Sequence, residues 1–411
     1  MNPQTNNTDL TAGFVPALAS EKVDARDDRL TVKIHSSLVE LQAISWQWDK
    51  LVTESETNTV HQLFAWTEVW WQILSRGREL FVLSVWQGRQ LVGIAPLMRS
   101  VQRKHGRKAR VLEFIGSGNV NYLDFIAGPD KRHVMESMLD WLVSNRDQWD
   151  MLNLLHIPET SSTTAIADEY FKKRQVPIRI GSAGSCPAYI CSGNLDEDLK
   201  ITRKKTEQRY YNYYCKNGHF EFKICQSIEE VETYLPAMYE QHIARFHHIV
   251  RSNKFIDSDQ REFVRAMTEQ LLPSGIPVFA VALFNGKPIS VQYGFHYANK
   301  FTGYLLTYDE SESKNSPGRL MIKLIMTAMI RRGISEFDFG RGGDEYKMRF
   351  TNCVRQNQMM TVYADRVLAI LATVAHAKQS LTATLKHSVK SNSKLKPVVE
   401  RYHRLRRLIK N

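Results

Sequence analysis

The densest grouping of residues able to bind or move charge lies between Asn315 and Phe350, NSPGRLMIKLIMTAMIRRGISEFDFGRGGDEYKMRF. Ser316-Pro317-Gly318 is turn chemistry, because proline fixes φ and glycine tolerates backbone angles that side chains forbid. The apolar run Leu320 to Ile330 then reads as helix. Such a turn presents a helix N-terminus, whose free amides and positive dipole end suit a phosphate or pyrophosphate, with Arg319 adding charge in the first turn. The alternative is simple capping, which the same three residues also perform. Arg332-Gly333 stops the helix. Ile334 to Phe339 alternates as a short strand that delivers Asp338, Arg341, Asp344, Tyr346 and Lys347 to one glycine-rich edge.

Two further groups carry candidate chemistry. His242 and Arg245 stand at i, i+3 on a predicted helix and share a face; an imidazole titrates near working pH, while a lone helical histidine is also an ordinary structural residue. Tyr122 and Asp124 follow a Gly-Ser-Gly turn, where they either contact a bound molecule or terminate a strand. No HExxH or clustered-carboxylate pattern indicates a metal. Gly340, Gly342 and Gly343 do not make the full G-x-G-x-x-G of a dinucleotide site.

The succession Ser316, Pro317, Gly318, then Arg341, Gly342, Tyr346 and Lys347, resembles the acetyltransferase family associated with bacterial cellulose biosynthesis (CelD/BcsL type), a branch of the GNAT acyltransferases. The likeness extends over about Trp46 to Tyr363, taking in Trp70-Trp71, Gly93 to Leu97, Leu112 to Asp124, His242 with Arg245, and Tyr308-Asp309. It implies transfer of an acyl group, acetyl above all, from acyl-coenzyme A to a saccharide or other small-molecule acceptor. On that implication the cofactor pyrophosphate meets Ser316, Pro317, Gly318, Arg319 and Leu320. A backbone N–H near Tyr304 to Thr307 meets the thioester oxygen. His242 is the candidate base, with Asp338 and Asp309 as competitors, and Tyr346 is the candidate acid for the departing thiolate. Arg245, Tyr122, Asp124, Asp309, Arg341 and Lys347 are the candidate acceptor contacts. The rivals are a Fem-type aminoacyl-tRNA-dependent transferase and a non-catalytic accessory protein of polysaccharide synthesis.

These residues need elements to hold them, and the chain repeats itself in supplying them. Residues 81–97, FVLSVWQGRQLVGIAPL, and 279–295, FAVALFNGKPISVQYGF, share strand, x-Gly turn and strand. A helix precedes each copy (Trp66 to Leu74; Arg261 to Leu272), and a helix and strand follow (131–145 then 151–156; 319–332 then 335–339). The economical explanation is two tandem GNAT-like α/β units, each a mixed sheet flanked by helices, in a Fem-like pseudo-duplicated architecture. The expected organisation is a disordered 1–30, a first unit over 31–195, a basic connecting helix over 196–218, a second unit with the cofactor site over 219–365, and a basic helical tail over 366–411. The tyrosines of the connecting helix, Tyr210, Tyr211, Tyr213 and Tyr214, read as packing residues.

A chain of 411 residues, 43% hydrophobic, can bury two cores. The first thirty residues lack the pattern of a signal peptide and no apolar run is long enough to span a bilayer, which implies a cytoplasmic protein. The five cysteines have no CxxC spacing and read as reduced thiols. From His376 to Asn411 ten Lys and Arg stand against Glu400 alone, so nine of the formal twelve net positive charges lie there. That leaves a nearly neutral body, which points away from specific nucleic-acid binding; the tail reads as a basic amphipathic helix for an anionic membrane surface, or as a solvated helix.

Overall fold

The computed structural model describes residues 29–246, 254–375 and 377. The amino-terminal segment, His247-His248 and the basic tail from Lys378 lie outside the described residues, and with them the expectations about a disordered start and an amphipathic end. Among the described residues no helix is long and apolar enough to cross a membrane.

Both repeated hairpins form, Val82–Gln87 with Gln90–Ala95 and Pro277–Phe284 with Lys287–Tyr297. Each carries a register shift, between Val85 and Trp86 in one and between Ala282 and Leu283 in the other, one residue apart when the two copies are aligned. A bulge twists a strand and is not generic, so its repetition strengthens the case for duplication. The helices that precede the hairpins, Phe64–Leu74 and Ser258–Leu271, pack on each other, with Trp66 edge-on to Phe263 at 5.6 Å.

The strands build a four-stranded sheet (Leu30–His35, Val82–Gln87, Gln90–Ala95, Ile126–Ala127) and an eleven-stranded sheet that runs through both halves. Strand exchange makes the long sheet continuous. The long strand Ile178–Ile190 pairs on one side with Glu336–Asp338 and on the other with Cys353–Tyr363. Cys353–Tyr363 also pairs with Met151–Pro158 of the first half. The two halves share an architecture but interlock along the sheet.

One junction opens the site. Lys300–Tyr308 runs parallel to Glu336–Asp338, yet the two pair only over Lys300 to Thr302. Beyond Thr302 they diverge, because the second strand is three residues long and turns away at Gly340. Gly340 has φ 69°, and a Cβ there would lie 2.7 Å from the Gly303 carbonyl oxygen, so only glycine permits both the turn and the close approach. Behind the opening the helix Pro317–Arg331 buries Leu320, Met321, Ile325, Met326 and Met329 at helical spacing in a second core. The connecting helix Lys205–Asn217 packs on it through Glu207, Tyr210 and Tyr214, at i, i+3 and i+7, and turns Lys205 and Arg209 to solvent. Tyr210 and Tyr214 therefore serve packing, Tyr211 is half-buried, and Tyr213 is exposed.

Candidate active site

Two contiguous cavities fill the divergence. An outer one of about 180 Å³ is lined by Ser316, Pro317, Gly318 and Arg319 together with Arg245, Leu306, Tyr308 and Tyr346. An inner one of about 350 Å³ shares Arg245, Leu306 and Tyr346 and continues past His242, Tyr304 and Lys347 to Gly340, Arg341 and Asn121. The outcome is a single cleft, with the Ser-Pro-Gly turn at one end and the first unit's Asn121 at the other.

The turn is unusual in its backbone. Ser316 is left-handed, φ 50° and ψ 55°, closing the 3₁₀ turn Glu310–Asn315 and starting the next helix. A non-glycine residue there costs roughly 1–2 kcal/mol, which the surroundings must overdetermine. Pro317 has no N–H, and the amides of Arg319 and Leu320 both turn back to the Ser316 carbonyl at 3.1 Å. Of the stretch Pro317 to Leu320, Gly318 is then the residue whose amide is not so engaged. A Cβ on Gly318 would stand 3.1 Å from the Tyr308 ring, a tight contact that the ring would have to yield to, so glycine leaves the most room at that backbone.

This narrows the sequence expectation that the whole stretch from Ser316 to Leu320, supported by Arg319, meets a phosphate. Leu320 is fully buried in the core. The Arg319 guanidinium is paired with the buried Glu207 carboxylate and lies over the Tyr210 ring, so its charge is already compensated. Glu207 carried no functional signal in the sequence, since it sits in a run dominated by lysine and arginine.

Alternation along Lys300–Tyr308 assigns the edge amides. Asp309 N–H bonds to Ile289 O, and with the register Thr307 to Val291 and Leu305 to Tyr293 this directs odd-numbered amides at the neighbouring strand. The N–H of Leu306 therefore points into the divergence, at the point where the two cavities meet. His242 and Arg245 reach the cleft from the helix Ile228–Phe246, which is tied to the strand by Thr307 donating to Gln241 at 2.9 Å. The Arg245 guanidinium lies over the Tyr308 ring. Burial pushes the Tyr346 phenol up to about 12.

Asp338 is placed elsewhere. Period-two alternation sends Phe337 and Phe339 into the cleft and Asp338 to the opposite face of the sheet. There it is 3% exposed, accepts from Tyr122 Oη at 2.5 Å and from the Gly340 N–H at 2.7 Å, and lines a small separate cavity with Arg355 and Glu336. Burial raises its carboxyl. Asp309 caps the 3₁₀ turn through the Ser311 amide. Asp124 is wholly buried and holds Thr57, Lys131, Ser161 and Thr163 together, with no path to the cleft. As general base or acceptor contact these three are corrected to structural positions, and Tyr122 stands with Asp338 on the far face.

Lys347 is buried and donates to the Arg341 carbonyl at 2.7 Å, with Asp344 at 3.5 Å; burial pulls its ammonium below the ordinary value. Asn121 was missed by sequence reasoning, which stopped at its neighbour Tyr122. Its side chain donates to Gly303 O at 3.1 Å and accepts from the Arg341 N–H at 3.2 Å, which brings the first unit to the inner end of the cleft. His156, also missed, accepts from the Arg341 guanidinium at 2.6 Å.

Residues 202–348 match the family described as an acetyltransferase (GNAT) domain. Among solved structures the chain is similar to FemX, with 10% identity, 77% of this chain and 95% of that one covered, and a TM-score of 0.55. It is also similar to a conserved protein of unknown function from Bacteroides thetaiotaomicron, with 12% identity, coverage of 81% and 100%, and a TM-score of 0.51. At such identities the likeness is one of fold. No curated protein matches the chain. The chain thus carries a GNAT-superfamily acetyltransferase domain within a two-unit GNAT architecture, and it is an acyltransferase; the comparisons stop short of the CelD/BcsL-type family.

Proposed function

We propose that the protein transfers an acyl group, with acetyl the expected one, from acyl-coenzyme A to an amine or hydroxyl of a sugar, nucleotide-sugar or other polysaccharide precursor. The observation that carries this reading is the cleft at the divergence of Lys300–Tyr308 from Glu336–Asp338, which joins a phosphate-compatible turn to an outward-facing backbone amide. The turn fits the donor, because the Gly318 N–H has no backbone partner and glycine adds no side chain to press on Tyr308 beside the outer cavity. Bound there, acyl-coenzyme A supplies the activated thioester. The saccharide acceptor rests on the family resemblance.

In this reading the chain's own groups divide the work. The Leu306 N–H polarises the thioester oxygen, a contribution of about 3 kcal/mol for one well-placed donor. His242 takes the acceptor proton. Tyr346 stays protonated, but a phenol near 12 does not transfer its proton readily to a thiolate of ordinary pKa about 8.5, so its role is to donate a hydrogen bond to the leaving sulfur. Arg245, Arg341 and Lys347 make the acceptor side of the cleft basic, against Asp344.

The similarity to FemX favours one second reading, an aminoacyl-tRNA-dependent transferase. Thermal unfolding with millimolar coenzyme A or with aminoacyl-tRNA separates them, since a native-state ligand raises stability by RT ln(1 + [L]/Kd). The first reading requires stabilisation by coenzyme A and none by charged tRNA. The basic tail is proposed to bring this activity to an anionic membrane surface.

A further inference from the structure

The partly buried arginines around the site differ in how their charge is met. Arg319 is paired with Glu207, and Arg355 with Glu336, Asp338 lying 3.8 Å away. Arg341 has no such partner among the described residues. One of its amino groups donates to neutral His156, its Nε is buried without an acceptor, and its backbone N–H goes to Asn121. Asp344, the acid that lines the inner cavity, pairs with Lys347 instead.

Burial draws the His156 imidazole down to about 3, with the Arg341 charge adding to the effect, so the ring accepts and does not repel. His61, wholly buried nearby, is lowered to about 3 by burial, by the Arg341 charge and by His156. A partly buried guanidinium left without an anion is poorly compensated, and Arg–carboxylate or Arg–phosphate pairing is the strong way to offset that. The missing anion is not the one expected at the Ser-Pro-Gly turn. Arg341 adjoins Asn121 and Gly303 at the inner end, and from Leu306 to Gly303 the strand alone spans about 10 Å.

We propose that the inner end of the cleft is an oxyanion subsite, in which Arg341, positioned by His156, binds a carboxylate or phosphate carried by the acyl group or by the acceptor. Its place in catalysis rests on the acyl-coenzyme A reading; its preference for an anion rests on Arg341 itself.

The full chain, as wild type, Arg341→Gln and Arg341→Lys, is titrated calorimetrically with coenzyme A, then with two matched pairs of probes, and last with inorganic phosphate. Succinyl-coenzyme A against butyryl-coenzyme A places a carboxylate or a methyl at the end of the same chain. Glucosamine 6-phosphate against glucosamine, with coenzyme A saturating, tests the acceptor side. The expected result is a preference of about tenfold or more for the anionic member of one pair. Arg341→Gln abolishes it, Arg341→Lys keeps part of it, and both leave coenzyme A affinity unchanged. Circular dichroism verifies that the variants are folded. If coenzyme A binds but neither pair is discriminated, or if discrimination persists in Arg341→Gln, the subsite is wrong and the acyltransferase reading stands. If coenzyme A does not bind the wild type, that reading fails; the subsite is then judged by phosphate, which must bind more weakly to Arg341→Gln, equal binding overturning it.

Discussion

The Tyr122 hydroxyl of the first unit donates to the Asp338 carboxylate of the second at 2.5 Å, on the face of the sheet opposite the cleft. Asp338 there also accepts the Gly340 N–H, and Gly340 is the residue at which the strand turns away to open the site. The contact therefore braces the divergence from behind. Asp338→Asn is expected to lower unfolding free energy by about 1–3 kcal/mol, the cost of an imperfectly paired buried donor. Denaturant titration reads that loss, with coenzyme A affinity retained. A stable variant devoid of turnover would return Asp338 to the chemistry.

His242→Ala should reduce turnover by roughly a hundredfold or more while coenzyme A affinity holds, which is the signature of a lost base. Steady-state kinetics together with direct binding checks it. Full activity in the variant would assign the base elsewhere, and with Asp309 and Asp338 held in structural contacts, the search would move to groups on the acceptor.

His61 and His156 give stability a pH dependence. Both fall from an ordinary 6.5 to about 3 in the folded chain, so between those values the unfolded chain binds more protons. Stability is then fully present above about pH 6.5 and is lost as pH falls towards 3. Urea titrations from pH 7 to 4.5 should show this decline, and His61→Leu with His156→Gln should flatten its slope whatever the two substitutions do to stability at pH 7. An unchanged slope would mean that other groups carry it.

Truncation after Ala375 should leave folding and turnover nearly intact and abolish pelleting with anionic vesicles at low salt. Each Lys or Arg near such a surface contributes on the order of 1 kcal/mol, weakening with salt. Equal sedimentation of full-length and truncated protein would reduce the tail to an exposed or packing element.

Much of the fold is legible locally. The paired hairpins announce themselves through strand, x-Gly and strand, and the helix after Ser316 through its apolar spacing, since both signals depend on neighbours in sequence. The exchange of Ile178–Ile190 and Cys353–Tyr363 between the halves is not legible, because strand order is decided by contacts between distant segments. The site divides in the same way. Ser316 to Gly318, Arg341, Tyr346 and Lys347 form a dense run and are visible as a group. Asn121 and His156 come from the other unit, Asn121 in a polar loop and His156 alone in an apolar strand, and nothing local ties either to this cleft. Asp338 misled for a physical reason: it sits among the right residues, yet alternation points it through the sheet.

The central claim, that the cleft holds acyl-coenzyme A at the Ser-Pro-Gly turn, is tested most directly by calorimetric titration of wild type and Gly318→Val with coenzyme A. A valine at Gly318 presses on the Tyr308 ring and covers the one disengaged amide of the turn. The account predicts one-to-one binding by wild type and an affinity at least about tenfold weaker in the folded variant. No heat of binding in the wild type, or equal affinity in a folded Gly318→Val, would contradict it.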